Sequence, residues 1–130
     1  MTAMVKAEDQ SLIDGLGYAE VSTVSYNMPN LQLKFSFQPG VLSTVIELLQ
    51  VIHLVVSQTQ GDNGDFVVGE VSLTAVENGG KSVLSNLHYR FYDQDNAVLN
   101  FPDVCLYHFH LEGDICVEAV SESYRISQQE

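Results

Sequence analysis

Two histidines one residue apart, His108 and His110, stand inside an apolar run from Val104 to Leu111. Successive side chains of an extended strand leave opposite faces, so a His-x-His spacing on a strand puts both imidazoles on one side. A second apolar run, Ile115 to Ile126, follows the turn-forming residues Glu112-Gly113-Asp114. An antiparallel hairpin with His110 opposite Cys116 and His108 opposite Glu118 separates apolar from polar residues best. Cys105, Tyr107, Phe109 and Leu111 then share one face with Ile115, Val117 and Ala119. Opposed residues hold their Cβ atoms about 5 Å apart. Two imidazoles, a thiolate and a carboxylate form a ligand set that zinc accepts, and copper or iron also take imidazoles. The metal candidates are therefore His108, His110, Cys116 and Glu118, a set zinc could use, while the expectation is that the chain holds no cofactor. A one-residue slip would carry Cys116 and Glu118 to the other face. An ordinary wet face accounts for the same residues without a metal.

Other constellations are weaker. Phe66 to Val76 and Ser82 to Tyr92 flank Glu77-Asn78-Gly79-Gly80-Lys81, a spacing that predicts a hairpin with glycine available for a left-handed loop position. In that register Glu70 opposes His88, and Val68 opposes Arg90. A Glu–His pair could exchange protons with a substrate, but no nucleophile is set beside it, and a cross-strand ion pair explains it as well. Gly61 to Asp65 and Asp93 to Asn96 are acidic, yet neither has the twelve-residue calcium pattern, and both suit turns. Cys105 falls on the apolar face, out of disulfide reach of Cys116. Phosphate-binding glycine loops, the serine nucleophile elbow, HExxH and CxxC do not occur.

The positioning elements follow from periodicity. Tyr18 to Tyr26 reads as a strand, Asn27 to Asn30 as a turn, and Leu31 to Gln38 as a half-buried strand with Leu31, Leu33, Phe35 and Phe37 on one face. After Gln38-Pro39-Gly40, polar residues fall at Ser43, Glu47, Gln50, His53 and Ser57. That spacing draws a single polar stripe along a helix, with His53 facing solvent, although many residues there are β-branched. The fold class expected is α+β, mainly an antiparallel β-sheet of about five to seven strands covered by one helix near 41–57. An all-β sandwich or barrel is the alternative. Residues 1–14 are expected to be a flexible N-terminal segment, and 15–130 a single β-rich globular domain.

Charge bounds the function classes. Seventeen acids against five Lys and Arg leave the 130-residue chain at −12. Such a field repels phosphate backbones and anionic lipid, which argues against nucleic-acid and membrane partners. The longest apolar-rich stretch, Val41 to Val56, is interrupted by polar residues and too short to span a bilayer. Met1 to Asp14 lacks the apolar run of a secretory signal, so two cysteines suggest free thiols in the cytoplasm. The expected role is a non-catalytic protein-interaction or binding domain with a strongly acidic surface. Its partner would be a protein, basic where the chain inhibits a basic enzyme, or a second copy forming a homodimer over open strand edges. A small metal- or ligand-binding domain built on the His-x-His strand is the alternative. A small hydrolase or isomerase with a helix–sheet pocket comes third, so the balance favours a protein that is not an enzyme.

Overall fold

The computed structural model describes residues 4–37, 42–58, 66–77, 84, 92, 94–96 and 105–129. These contain one helix, α1 (Ala7–Asp14), and six strands: β1 (Glu20–Asn27), β2 (Asn30–Ser36), β3 (Ser43–Gln58), β4 (Phe66–Val76), β5 (Leu106–Gly113) and β6 (Ile115–Gln129). Every pairing among them is antiparallel, in the order β1-β2-β3-β6-β5-β4, and β4 returns to β1 at Val67–Glu20 and Phe66–Val21 to close a ring. The mainly antiparallel sheet expected from the sequence is present. No helix among the described residues is long and apolar enough to cross a membrane.

The ring encloses the core. Leu31, Leu33 and Phe35 of β2 point inward, as their alternation predicts, and meet Ile46, Leu48, Leu73, Phe109, Leu111, Val117 and Ala119. Each such aliphatic or aromatic side chain contributes about 1.5–3 kcal/mol when fully removed from water. Phe37, beyond the end of β2, is half exposed. Residues 1–14 include α1, and Ile13 at its C-terminal end joins the core together with Leu16 and Ala19. The phenol of Tyr124 on β6 fastens the start of α1, accepting from the Lys6 backbone N–H at 3.1 Å and donating to Asp9 Oδ2 at 2.9 Å.

The helix expected near 41–57 is instead strand β3. It pairs with β2 from Thr44 to Leu48 and with β6 along nearly its whole length. Its β-branched residues fit this pleated setting. The helix-like spacing has a specific cause. Gln50 adopts φ 56 and the β6 ladder shifts register between Val51 and His53, so the strand bends twice within three residues. Inward positions then fall at Ile46, Leu48, Val51 and Leu54, spacings of two, three and three that a helix would also give. The bend is held by the β1–β2 turn. Val51 N–H donates to Pro29 O at 2.7 Å and Gln50 N–H to Asn30 Oδ1 at 3.2 Å.

The β5–β6 hairpin forms two residues out of the expected register. His110 faces Glu118 and His108 faces Val120, rather than Cys116 and Glu118. The reason lies in β4, which draws the expected loop into its own ladder. Gly113 pairs with Val68, Asp114 N–H donates to Val67 O at 3.1 Å, and Val67 N–H donates to Asp114 Oδ2 at 3.0 Å. Because the offset is even, every side chain keeps its face. The return strand expected over 82–92 lies almost entirely outside the described residues. Leu84, within it, has helical backbone.

Gly113 is where this arrangement is most sensitive to a methyl group. A Cβ there would be driven into the carbonyl oxygen of Val67, with Gly69 N only 3.0 Å away, whereas a Cβ at Gly15 would meet nothing nearer than 3.5 Å. Gly113→Ala should therefore cost about 1–3 kcal/mol in urea unfolding, as overpacked positions do. Gly15→Ala should change the midpoint little.

Candidate functional site: the outward face of the β4-β5-β6-β3 sheet

The ladders place outward side chains on a grid. Thr74, His108, Val120 and His53 form one row across β4, β5, β6 and β3. Ser72, His110, Glu118 and Val55 form the next. Glu70 faces Glu112 in a third row, with Cys116 and Ser57 paired farther along it. The four metal candidates thus share one outward face. His53 and Glu112 join them.

Side-chain contacts divide the group. His108 Nε2 lies 3.1 Å from Glu118 Oε1, a diagonal contact across the β5–β6 ladder. His110 Nε2 lies 2.8 Å from Glu112 Oε1, two residues along its own strand. The two imidazole rings are 6.4 Å apart at their centroids. Cys116 is exposed and directs its thiol to Gly113 O at 3.8 Å, away from both histidines. As the side chains stand, no three His, Cys, Asp or Glu groups among the described residues converge on one point as metal ligands.

A dry patch borders the imidazoles. Leu84 closes over Leu106, Val120 and Ile52 on the outer side of the sheet, and Leu84, Leu106 and Val120 are almost fully buried. His53 follows Ile52 directly and feels that desolvation. Burial pushes its pKa below 6.5, against the carboxylate of Glu118, which raises it, while His108 adds to the lowering. Charge in the third row is unbalanced. Glu70 and Glu112 stand directly opposite each other, an arrangement that costs sheet stability. Glu112 shares a hydrogen bond with His110 Nε2 on its own strand. His88, the partner expected for Glu70, lies outside the described residues.

A second feature sits on the other side of the ring. A cavity of about 430 Å³ opens between the start of α1 and β6, lined in part by Lys6, Glu8, Tyr107 and Arg125. Tyr107 and Tyr124 meet edge to face there, 4.9 Å apart. Burial raises the pKa of the Tyr124 phenol. Its principal polar groups are already engaged: Tyr124 with Asp9, and Arg125 with Glu47 through Nη2 at 2.6 Å.

His53 and Glu112 were hidden in the sequence for separate reasons. A helix near 41–57 sends His53 into solvent away from the hairpin, and a turn centred on Gly113 removes Glu112 from the strand. The β-branched residues around His53 were the available signal. No known protein-family model matches the chain, and no curated protein sequence matches it.

Two measurements check this electrostatic picture. The unfolded chain binds a proton at His53 near 6.5 and the folded chain binds it less readily. The contribution of neutral His53 to stability is therefore complete above that range and is lost as pH falls below 6.5. Wild type minus His53→Asn, compared by denaturant unfolding between pH 7.5 and 5, should show that slope. Glu70→Lys should raise stability by about 0.2–1 kcal/mol by turning an opposed acid pair into an ion pair.

Proposed function

We propose that this chain is a non-catalytic binding module of the cytoplasm whose acidic outward face receives a basic protein segment. One observation carries the reading: Glu70 and Glu112 are held face to face on adjacent strands, with Glu118 on the neighbouring strand. Opposed carboxylates in a sheet cost folding free energy, and a lysine- or arginine-bearing partner would relieve that cost on binding. The net charge of −12 extends the attraction beyond the contact itself and would speed encounter with a basic surface. Both described cysteines are free thiols, in keeping with a reducing compartment.

A second reading, self-association, rests on a different place. Val55 and Val56 near the tip of β3 are about half exposed, and Val51 to Gln58 carries no Asp, Glu, Lys or Arg. Among the described ladders this stretch pairs with β6 alone, and open strand edges are usually guarded by charge. Two copies of an acidic chain repel least where neither carries charge, so native mass should read twice the monomer if this edge pairs with itself.

The principal reading is tested by amide chemical shifts on adding an oligolysine peptide. Shifts centred on Glu70, Glu112 and Glu118, shrinking as salt rises from 50 to 300 mM and abolished by Glu70→Lys with Glu112→Lys, are the expected result. Shifts scattered evenly over the surface would defeat it.

A further inference from the structure

We infer that the cavity between the start of α1 and β6 binds a free α-amino acid with an aromatic side chain. The inference goes beyond the binding-module reading and shares no residue with the acidic face. At about 430 Å³ the cavity falls within the range of about 300–1,000 Å³ in which small-molecule sites are found. One observation sets it apart from the rest of the surface. Lys6 and Arg125, two of only five Lys and Arg in a chain of charge −12, both line it.

Internal contacts consume part of the lining and leave a specific remainder. Arg125 is bound to Glu47 through Nε and Nη2, and one oxygen of Asp9 accepts from the Tyr124 hydroxyl at 2.9 Å. The side-chain ammonium of Lys6, the carboxylate of Glu8 and the hydroxyl of Tyr107 make no hydrogen bond or ion pair among the described residues. One uncommitted cation and one uncommitted anion therefore stand two residues apart at the start of α1, without pairing to each other. That arrangement suits a molecule whose two charges are close together. An α-amino acid carries its ammonium and its carboxylate on one carbon. Lys6 takes the carboxylate and Glu8 the ammonium, and the Tyr107 hydroxyl is a further donor in the same cavity. Hydrogen bonds between charged groups are the strong ones.

The field of the chain selects among ligands of this size. A simple anion approaching Lys6 is repelled by the net charge of −12, and a simple cation approaching Glu8 meets Lys6 and Arg125 on the same walls. A zwitterion has no net charge and avoids both penalties. The remaining wall sets the side chain of the ligand. Tyr107 and Tyr124 meet edge to face with ring centroids 4.9 Å apart, and Met4 and Ile126 complete the apolar side. A third ring laid against this pair continues an arrangement that aromatic groups prefer. The walls are held together without the ligand. Lys6 N–H donates to the Tyr124 hydroxyl oxygen at 3.1 Å, which fixes the first residues of α1 against β6.

Calorimetric titration of the full chain with L-phenylalanine, beside hydrocinnamate and phenethylamine, tests the site. Hydrocinnamate lacks the ammonium of phenylalanine, and phenethylamine lacks the carboxylate. One equivalent of phenylalanine should bind per chain, and each analogue about tenfold more weakly, the loss expected for one charge-assisted hydrogen bond. Lys6→Met should weaken phenylalanine by a similar factor and leave phenethylamine no weaker, because that amine has no carboxylate for Lys6. Glu8→Gln should weaken phenylalanine and leave hydrocinnamate no weaker. Both residues are exposed, so neither variant disturbs the core. Amide chemical shifts on the wild-type chain supply a readout that depends on no variant, and should centre on Lys6 to Asp9 and Ser123 to Ile126. Absence of binding at about 10 mM phenylalanine, where a site with a dissociation constant of about 1 mM is nearly full, would overturn the site. Either analogue binding as tightly as phenylalanine would overturn the recognition of both charges, and shifts centred elsewhere would overturn its place.

Discussion

The long antiparallel pairing of β3 with β6 bears the rest of the structure, and its bend at Gln50 to Ile52 decides what lies on each side. Before the bend β3 pairs with both β2 and β6; after it, among the described ladders, β3 continues with β6 alone. The change of direction turns Val51 and Leu54 inward and leaves His53 outward. Two hydrogen bonds from the β1–β2 turn hold the bent backbone, one from Pro29 and one from Asn30. Net contributions of about 1 kcal/mol each are small beside the core. Their importance is positional, because they tie the bent backbone of β3 to the β1–β2 turn.

Stability and surface chemistry are set by terms of different size. A buried leucine contributes about 1.5–3 kcal/mol, and β2 alone turns Leu31, Leu33 and Phe35 into the ring. The opposed pair Glu70 and Glu112 costs about 0.2–1 kcal/mol. One inward residue outweighs it. The outer face can therefore carry unbalanced carboxylates without endangering the fold, and its composition is free to answer to binding. The Arg125–Glu47 pair is largely exposed and adds little on the same scale.

The parts of the fold visible in the sequence were those where one period runs unbroken. Leu31 to Phe35 alternates without interruption, and each residue turned inward sits in the core. In β3 two local irregularities fall three residues apart, and a strand with shifts at that spacing imitates a helix in its hydrophobic pattern. Only the β-branched residues argued for extension, and their preference prevailed because β6 offers a partner along the strand and β2 a second one from Thr44 to Leu48. The β5–β6 register was misplaced for a tertiary reason. Gly113 looks like a turn residue, but it is glycine because the Val67 carbonyl leaves no room for a side chain. Nothing local to the hairpin reveals a constraint imposed by a strand more than forty residues earlier in the chain.

The two errors had unequal consequences for the candidate site, and parity explains why. A register shift of two residues preserves which face each side chain occupies, so His108, His110, Cys116 and Glu118 remained together outside the ring although none of their expected pairings formed. Mistaking β3 for a helix changed the neighbourhood itself, because it removed the third strand that brings His53 alongside Glu118. Face membership depends on counting along one strand, which sequence supplies. Which strands stand side by side depends on the closure of the whole ring. The chemistry of this face is therefore a property of the β3–β6 pairing as much as of the His-x-His spacing. A histidine at the dry edge of the sheet acquires its role from strand order.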